Sequence, residues 1–223
     1  MRLANMRRLF RRLNLPLFAC SGSRENSHAA WLVFSLIWPL MVLSEVVWAQ
    51  NVSVDSSATK IVIFKERQVL QLYKKGDLQK TYRICLGINP RGPKLIQGDS
   101  KTPEGLYFVC SKNVSSRFHR FLGLSYPGVE DAQRAFETGR ICLDERDSII
   151  NQLNKGLAPP WDTPLGGWVG IHGYPTGSYE NKWTLLLYPK PHNWTDGCIA
   201  MWNFEIEELF TNVSLNTPVR IEP

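Results

Sequence analysis

The sequence predicts a mainly β domain with a few short helices, and three observations carry that reading. After residue 59 the chain runs through short segments rich in Val, Ile, Leu and Tyr, such as "KIVIFK" and "QVLQLYK", the composition and length of strands. Helical patterns are confined to three short stretches in the second half. Glycine and proline punctuate the rest, with four glycines and three prolines in "GINPRGPKLIQGDSKTPEG" alone, which marks a long structured loop rather than an element.

In order, Lys60–Lys65 and Gln68–Lys74 read as strands, and the turn Lys75-Gly76-Asp77 leads into "LQKTYRICL". Alternation there places Tyr82, Ile84 and Leu86 on one face, with Arg83 and Cys85 on the other. "LYFVC" is the next strand. "EDAQRAFETG" reads as a helix stopped by Gly139. "DERDSIINQLNKG" reads as a second helix, capped by Asp144, with a stripe of Ile149, Ile150 and Leu153 and with Gly156 as its terminator. "GGWVGIHG" and "WTLLLY" read as strands. Asn203 is the expected cap of "FEIEELF", and "TPVRIEP" is the closing strand.

The N-terminus has a different character. Six arginines precede an apolar run from Ala29 to Leu43, and Val47 and Ala49 stand at the small-residue positions before Gln50. Residues 1–49 therefore read as an export signal or, if uncleaved, as an N-terminal membrane anchor. The short uninterrupted apolar part favours cleavage, and the arginines favour retention of that end in the cytoplasm. Residues 50–59, "NVSVDSSAT" with the preceding Gln50, form a polar linker, and 60–223 form one domain large enough for a real core. Of the net charge of +6, the leader's six arginines less Glu25 and Glu45 account for +4. The exported part is close to neutral, so the basic pI is no argument for a nucleic-acid partner. The expected location is the periplasm, with membrane contact only through an uncleaved leader.

Four cysteines follow the leader: Cys85, Cys110, Cys142 and Cys198. They contain no CxxC pair, which argues against a zinc site or a thioredoxin-type motif. No metal cluster, phosphate loop or nucleotide motif is present, so no cofactor and no metal is expected. In an oxidising compartment a disulfide among Cys85, Cys110 and Cys142 and three free thiols are both open.

Two residues carry chemical promise. If "WVGIHG" is a strand, His172 shares a face with Gly170 and is followed by Gly173, where backbone approaches closely. Cys198 follows Gly197 on a turn shortly before a helix, where exposed amides and an imidazole favour a thiolate. Those amides, of Gly197 and Cys198, are also candidate oxyanion donors. Asp196 pulls the other way, since an adjacent carboxylate disfavours the thiolate. Taken alone, an exported cysteine is more often structural than catalytic.

The segments "IHG" and "TDGCIAMWN" together resemble the signature of the L,D-transpeptidase (YkuD-type) catalytic domain family. The resemblance extends to "GDSKTPEGLYFV", "SSRFHRFLGLSYPGVEDAQRA", "PPWDTPLGGWVGIHG" and "NTPVRIEP", and so covers Lys60 to Pro223. It implies a β-sandwich-like fold and a cysteine acyl-transfer enzyme acting on peptidoglycan stem peptides. Cys198 is then the nucleophile that forms a thioester and releases D-alanine, and His172 is the general base. Gly173 orients the base, and Gly197 lies at the oxyanion site. Thr195, Asp196 and Tyr174 are candidate substrate contacts, while Asp99, Thr102, Pro103 and Gly105 shape a turn beneath the cleft. The acceptor is a second stem, a lipoprotein lysine or a free D-amino acid. A hydrolase on the same scaffold and a non-catalytic peptidoglycan binder are the alternatives. The sequence departs from the commonest motif at Asp196, which replaces a histidine, and at Ala200, which replaces an arginine. The 22 residues between His172 and Thr195 are a longer gap than usual and bring in His192 as a rival base, in a solvated loop.

Overall fold

The computed structural model of this protein describes residues 59–175 and 192–223. The expected leader, the expected linker up to residue 58 and the "WTLLLY" segment lie outside the described residues. The elements are β1 (Lys60–Phe64), β2 (Val69–Lys74), β3 (Asp77–Arg83), β4 (Gly105–Ser116), β5 (His119–Leu124), α1 (Val129–Glu137), α2 (Leu143–Asn154), β6 (Gly170–His172), β7 (Ile199–Ala200), α3 (Asn203–Asn212) and β8 (Pro218–Glu222). Mainly β with short helices is therefore the observed class.

The strands form one sheet in the order β3-β2-β1-β8-β4-β5-β6-β7. β1 and β8 are parallel, as are β6 and β7, and the other pairs are antiparallel. The long β4 belongs to both halves. Its residues Gly105–Phe108 pair with β8, and from Val109 onward it pairs with β5, with register shifts along that ladder of the kind that bends a sheet. Past β3 the chain leaves β2 and reaches the opposite edge: Cys85 N–H donates to Ala200 O at 2.7 Å and Ala200 N–H to Cys85 O at 2.9 Å. The two edges thus meet, and the sheet curls around its own apolar face.

That closure explains a single main core. Ile61, Ile63, Leu70, Leu72 and Tyr82 from one end of the sheet join Leu122, Leu124, Ile171 and Ile199 from the other, with Ile206 and Leu209 of α3. A second cluster, Ala132, Ala135, Ile141, Ile149 and Leu165, joins α1 to α2. The β2–β3 hairpin turns on Lys75 (φ +52°) and Gly76 (φ +86°), the two-residue loop whose positive φ values match strand twist.

Both expected helix caps lie elsewhere. α2 begins after Cys142, whose N–H donates to Glu145 Oε2 at 2.9 Å. Only an acid three residues beyond the cap reaches back in this way, so Asp144 sits inside the first turn, where its charge still suits the helix dipole. Gly139 (φ +68°) and Gly156 (φ +70°) do end their helices in the left-handed region. α3 begins after Trp202, and the Asn203 carboxamide is used outside its helix, as described below.

Candidate active site

The parallel pairing of β6 with β7 organises the site. His172 is the partner of Ala200, and Ile171 of Ile199. Cys198 immediately precedes β7 and lies beside Gly170, the first residue of β6. The Cys198 Sγ lies 3.5 Å from Trp168 O and also accepts a hydrogen bond from the Gly170 backbone. A Cβ at Gly170 would stand 2.4 Å from the Phe121 ring and 2.6 Å from Leu122 O. Phe121 fills that space.

The turn before Cys198 is closed from within. Thr195 is buried, and its hydroxyl donates to Cys198 O at 2.6 Å and accepts Gly197 N–H at 3.2 Å. Its side chain is thus spent on turn geometry, and the Gly197 amide is engaged with it. Gly197 has φ +129°, and a Cβ there would stand 2.5 Å from Lys101 O; only glycine fits this backbone-to-backbone contact. Asp196 is exposed.

His172 is 2% exposed. Its Nδ1 lies 2.6 Å from Gly173 O. A carbonyl only accepts, so Nδ1 carries the proton and Nε2 holds the free lone pair. Phe118 covers the ring at 4.5 Å between centroids, Phe121 stacks at 6.3 Å, and Trp194 presents an edge at 5.8 Å. Arg117 lies over Phe118. Burial, reinforced by the Arg117 charge, lowers the His172 pKa to about 4 against the pull of the Gly173 carbonyl. The imidazole is neutral at neutral pH. Phe118 and Arg117 come from the β4–β5 turn and carry no sequence signal of their role.

Burial also pushes the Cys198 thiol above its ordinary value, and Asp196 adds to this. The Gly170 hydrogen bond and the Lys94 charge oppose them. Burial likewise raises Cys85, and Cys110 to about 11. Cys85, Cys110, Cys142 and Cys198 are all free thiols, which decides the disulfide question for these four. Tyr174 is half-buried, stacked between Trp194 (5.4 Å) and Trp202 (5.1 Å), with its hydroxyl 3.5 Å from Cys85 Sγ. His192 is exposed. A cavity of about 400 Å³ between β4 and the start of α1, lined in part by Leu106, Tyr107, Val129 and Asp131, includes neither Cys198 nor His172. Among the described residues no group of His, Cys, Asp and Glu has the arrangement of a metal site.

The loop preceding β4 forms the floor. The Asp99 carboxylate accepts three backbone N–H groups of its own loop. Thr102 Oγ1 accepts Gly87 N–H at 3.0 Å. Lys65, almost fully buried, ties the loop to the end of β1 by donating to Gly92 O, Thr102 O and Glu104 Oε1.

Over residues 58–221 the sequence matches the family model of the L,D-transpeptidase catalytic domain, YkuD. The chain belongs to this family. YafK of Escherichia coli (strain K12) is 37% identical over 99 residues, which are 42% of this chain and 40% of YafK. Pgp2 of Campylobacter jejuni, a helical cell shape determining protein, is 22% identical with a TM-score of 0.49, covering 74% of this chain and 47% of Pgp2. L,D-transpeptidase 1 of Mycobacterium tuberculosis is 13% identical with a TM-score of 0.40, covering 74% of this chain and 62% of that one. The matched part is less than half the length of YafK and of Pgp2. The L,D-transpeptidase domain of this chain thus contains both His172, at the end of β6, and Cys198, immediately before β7. Among the described residues no helix is long and apolar enough to cross a membrane.

Proposed function

We propose that this L,D-transpeptidase domain is an exported cysteine acyltransferase of the cell wall that uses Cys198 on peptidoglycan stem peptides. The observation that supports the reading is the parallel pairing of β6, which ends in His172, with β7, which begins one residue after Cys198. Both groups are neutral at rest: burial holds the thiol protonated and the imidazole unprotonated. The reaction therefore starts by general-base catalysis rather than from a standing ion pair.

In the first half-reaction the Cys198 proton moves to His172 Nε2 as the sulfur attacks the carbonyl of the third stem residue. The Cys198 N–H is assigned to the developing oxyanion, since the Gly197 N–H is turned on Thr195. Collapse breaks the bond to the terminal D-alanine, whose amine leaves with the proton from His172. In the second half-reaction an acceptor amine loses its proton to His172 and attacks the thioester, which frees the Cys198 thiol. The amine of a second stem, a lipoprotein lysine or a D-amino acid fits this step. Asp196, exposed beside the turn, and Tyr174, on its aromatic stack, are the proposed substrate contacts. Two reactive residues beside paired strands count against a pure binder.

The test is intact-protein mass spectrometry of the full-length chain incubated with tetrapeptide stem fragments, with Cys198→Ala alongside. An acyl adduct or D-alanine release that disappears in the variant supports the reading, and the small product names the acceptor. A shortened stem alone identifies water as acceptor and makes the protein a hydrolase. Neither adduct nor release from folded protein sinks the proposal.

A further inference from the structure

The loop from Lys94 to Thr102 lies directly against the Cys198 turn. A Cβ built on Gly197 stands 2.5 Å from Lys101 O and 3.9 Å from Lys94 Nζ. Lys94 is 4% exposed. Its ammonium donates to Asp99 Oδ1 at 2.8 Å and to Ile96 O at 3.0 Å. A lysine has three such donors, and the third forms no hydrogen bond to another described residue. Asp99 in turn accepts the N–H groups of Leu95 (2.8 Å), Ile96 (3.3 Å) and Lys101 (3.1 Å). Burial opposes the Asp99 charge, but Lys94 and these amides prevail and hold its carboxyl below the usual carboxylate range. The Asp99 carboxylate is therefore ionised at neutral pH.

A buried ion pair is weak evidence for stability, because desolvating both charges offsets their attraction. The loop already has its three amide bonds to Asp99. The location of this pair is what distinguishes it, with the cation against the residue preceding the nucleophile. Ala200, where the commonest motif has an arginine, is fully buried and uncharged. The charged groups that act on Cys198 are Asp196 on its own turn and Lys94 on the loop; the neutral His172 ends the neighbouring β6, and Arg117 acts on that ring.

We propose that Lys94 is a positioning residue for charge at the nucleophile: clamped by Asp99 beneath Gly197, its ammonium stabilises the negative sulfur of Cys198 as the proton leaves. The inference rests on Cys198 being the reactive cysteine of the proposed function, but its test needs no stem peptide. The alkylation rate of Cys198 by iodoacetamide is followed against pH in the full-length chain, by mass spectrometry of the peptide that contains it.

A nearby opposite charge shifts a titration by about one unit or more. Lys94→Met is expected to raise the apparent pKa of Cys198 by about that amount and to slow alkylation at neutral pH roughly tenfold. Lys94→Arg keeps the charge and the wild-type profile. Asp99→Asn removes the opposing carboxylate and moves the pKa down. These opposite signs separate electrostatics from folding, since a purely structural pair, once broken from either side, disturbs the turn in one direction. Lys94→Met/Asp99→Asn leaves no unpaired buried charge, and so reports even where a single variant does not fold; it is expected to raise the pKa, by less than Lys94→Met. A shift of the same sign in both single variants, or an unmoved pKa in the double variant, overturns the proposal. Loss of stem acylation with these shifts intact would instead count against the proposed substrate alone.

Discussion

Asn203 Oδ1 accepts the Tyr174 N–H at 2.7 Å, so the first residue of α3 holds the chain where it leaves the His172 strand. The same oxygen occupies the space of a side chain at Gly173: a Cβ there would stand 2.1 Å from it. The glycine after His172 is thus required by a helix thirty residues later in the chain, and the two positions form one device.

Asn203→Ala leaves the Tyr174 N–H without this partner, which costs about 1–3 kcal/mol. Gly173→Ala forces a clash and costs a similar amount, about 1–3 kcal/mol. Because the clash is with the atom that Asn203→Ala removes, the double variant is expected to be more stable than the sum of the singles, with a coupling of about 0.5–3 kcal/mol. Urea unfolding of the four proteins measures this. Strict additivity would show that the two positions act independently.

His172 links the site to pH. Its folded pKa of about 4 lies below the ordinary 6.5, so between these values the unfolded chain binds a proton that the native protein refuses. Stability is therefore complete above pH 6.5 and declines as pH falls towards 4, by at most about 3 kcal/mol from this group. His172→Gln is expected to flatten that part of the stability–pH curve in urea titrations. The same shift places the acid limb of the acylation rate near pH 4 instead of 6.5. An acid limb at 6.5 would make another group the base. His172→Ala is expected to abolish acylation and His192→Ala to retain most of it; the reverse pattern would reassign the role.

The parts of this fold visible in the sequence are those governed by local period. β1, β2 and β8 place alternate residues in one core, so Ile61, Ile63, Leu70, Leu72, Val219 and Ile221 announce themselves. β7, with two residues, is too short for any period. β5 has a half-buried, basic and aromatic first half, because its hairpin covers His172 rather than the core. At the site, His172 and Cys198 stand out through their glycine neighbours. Phe118, Arg117 and Lys94 do not, because they reach the site from distant segments through pairings that no local pattern encodes. Asn203 is misread as a cap for the same reason: its residue type suits an N-cap, and a tertiary partner claims it instead.

Lys65 tests how far the floor depends on one buried cation. Its bonds to Gly92 O (2.8 Å), Thr102 O (2.8 Å) and Glu104 Oε1 (2.7 Å) clasp both ends of the Asp99 loop. Burial lowers its pKa, with Glu104 opposing. Lys65→Met strands a mostly buried carboxylate and two carbonyls, and is expected to cost about 3–5 kcal/mol. Lys65→Met/Glu104→Gln, which removes the stranded charge, should recover part of that loss in thermal or urea unfolding. A cost below about 1 kcal/mol for the single variant, the range of an exposed pair, would show that the clasp is dispensable.

Gly197 offers the sharpest separation of fold from chemistry. At φ +129°, with Lys101 O 2.5 Å from any Cβ, Gly197→Ala must push the Cys198 turn away from the loop beneath it. The core strands do not touch this contact, so the transition in unfolding should be only modestly lowered. Displacement of a nucleophile by about 1 Å costs on the order of 100-fold in rate. Acylation of Gly197→Ala by stem fragments is therefore expected to fall by about that factor, with Cys198 still alkylated by iodoacetamide. Near-normal acylation would mean that the turn tolerates the shift and that Cys198 is not held as tightly as Thr195 and Lys101 imply.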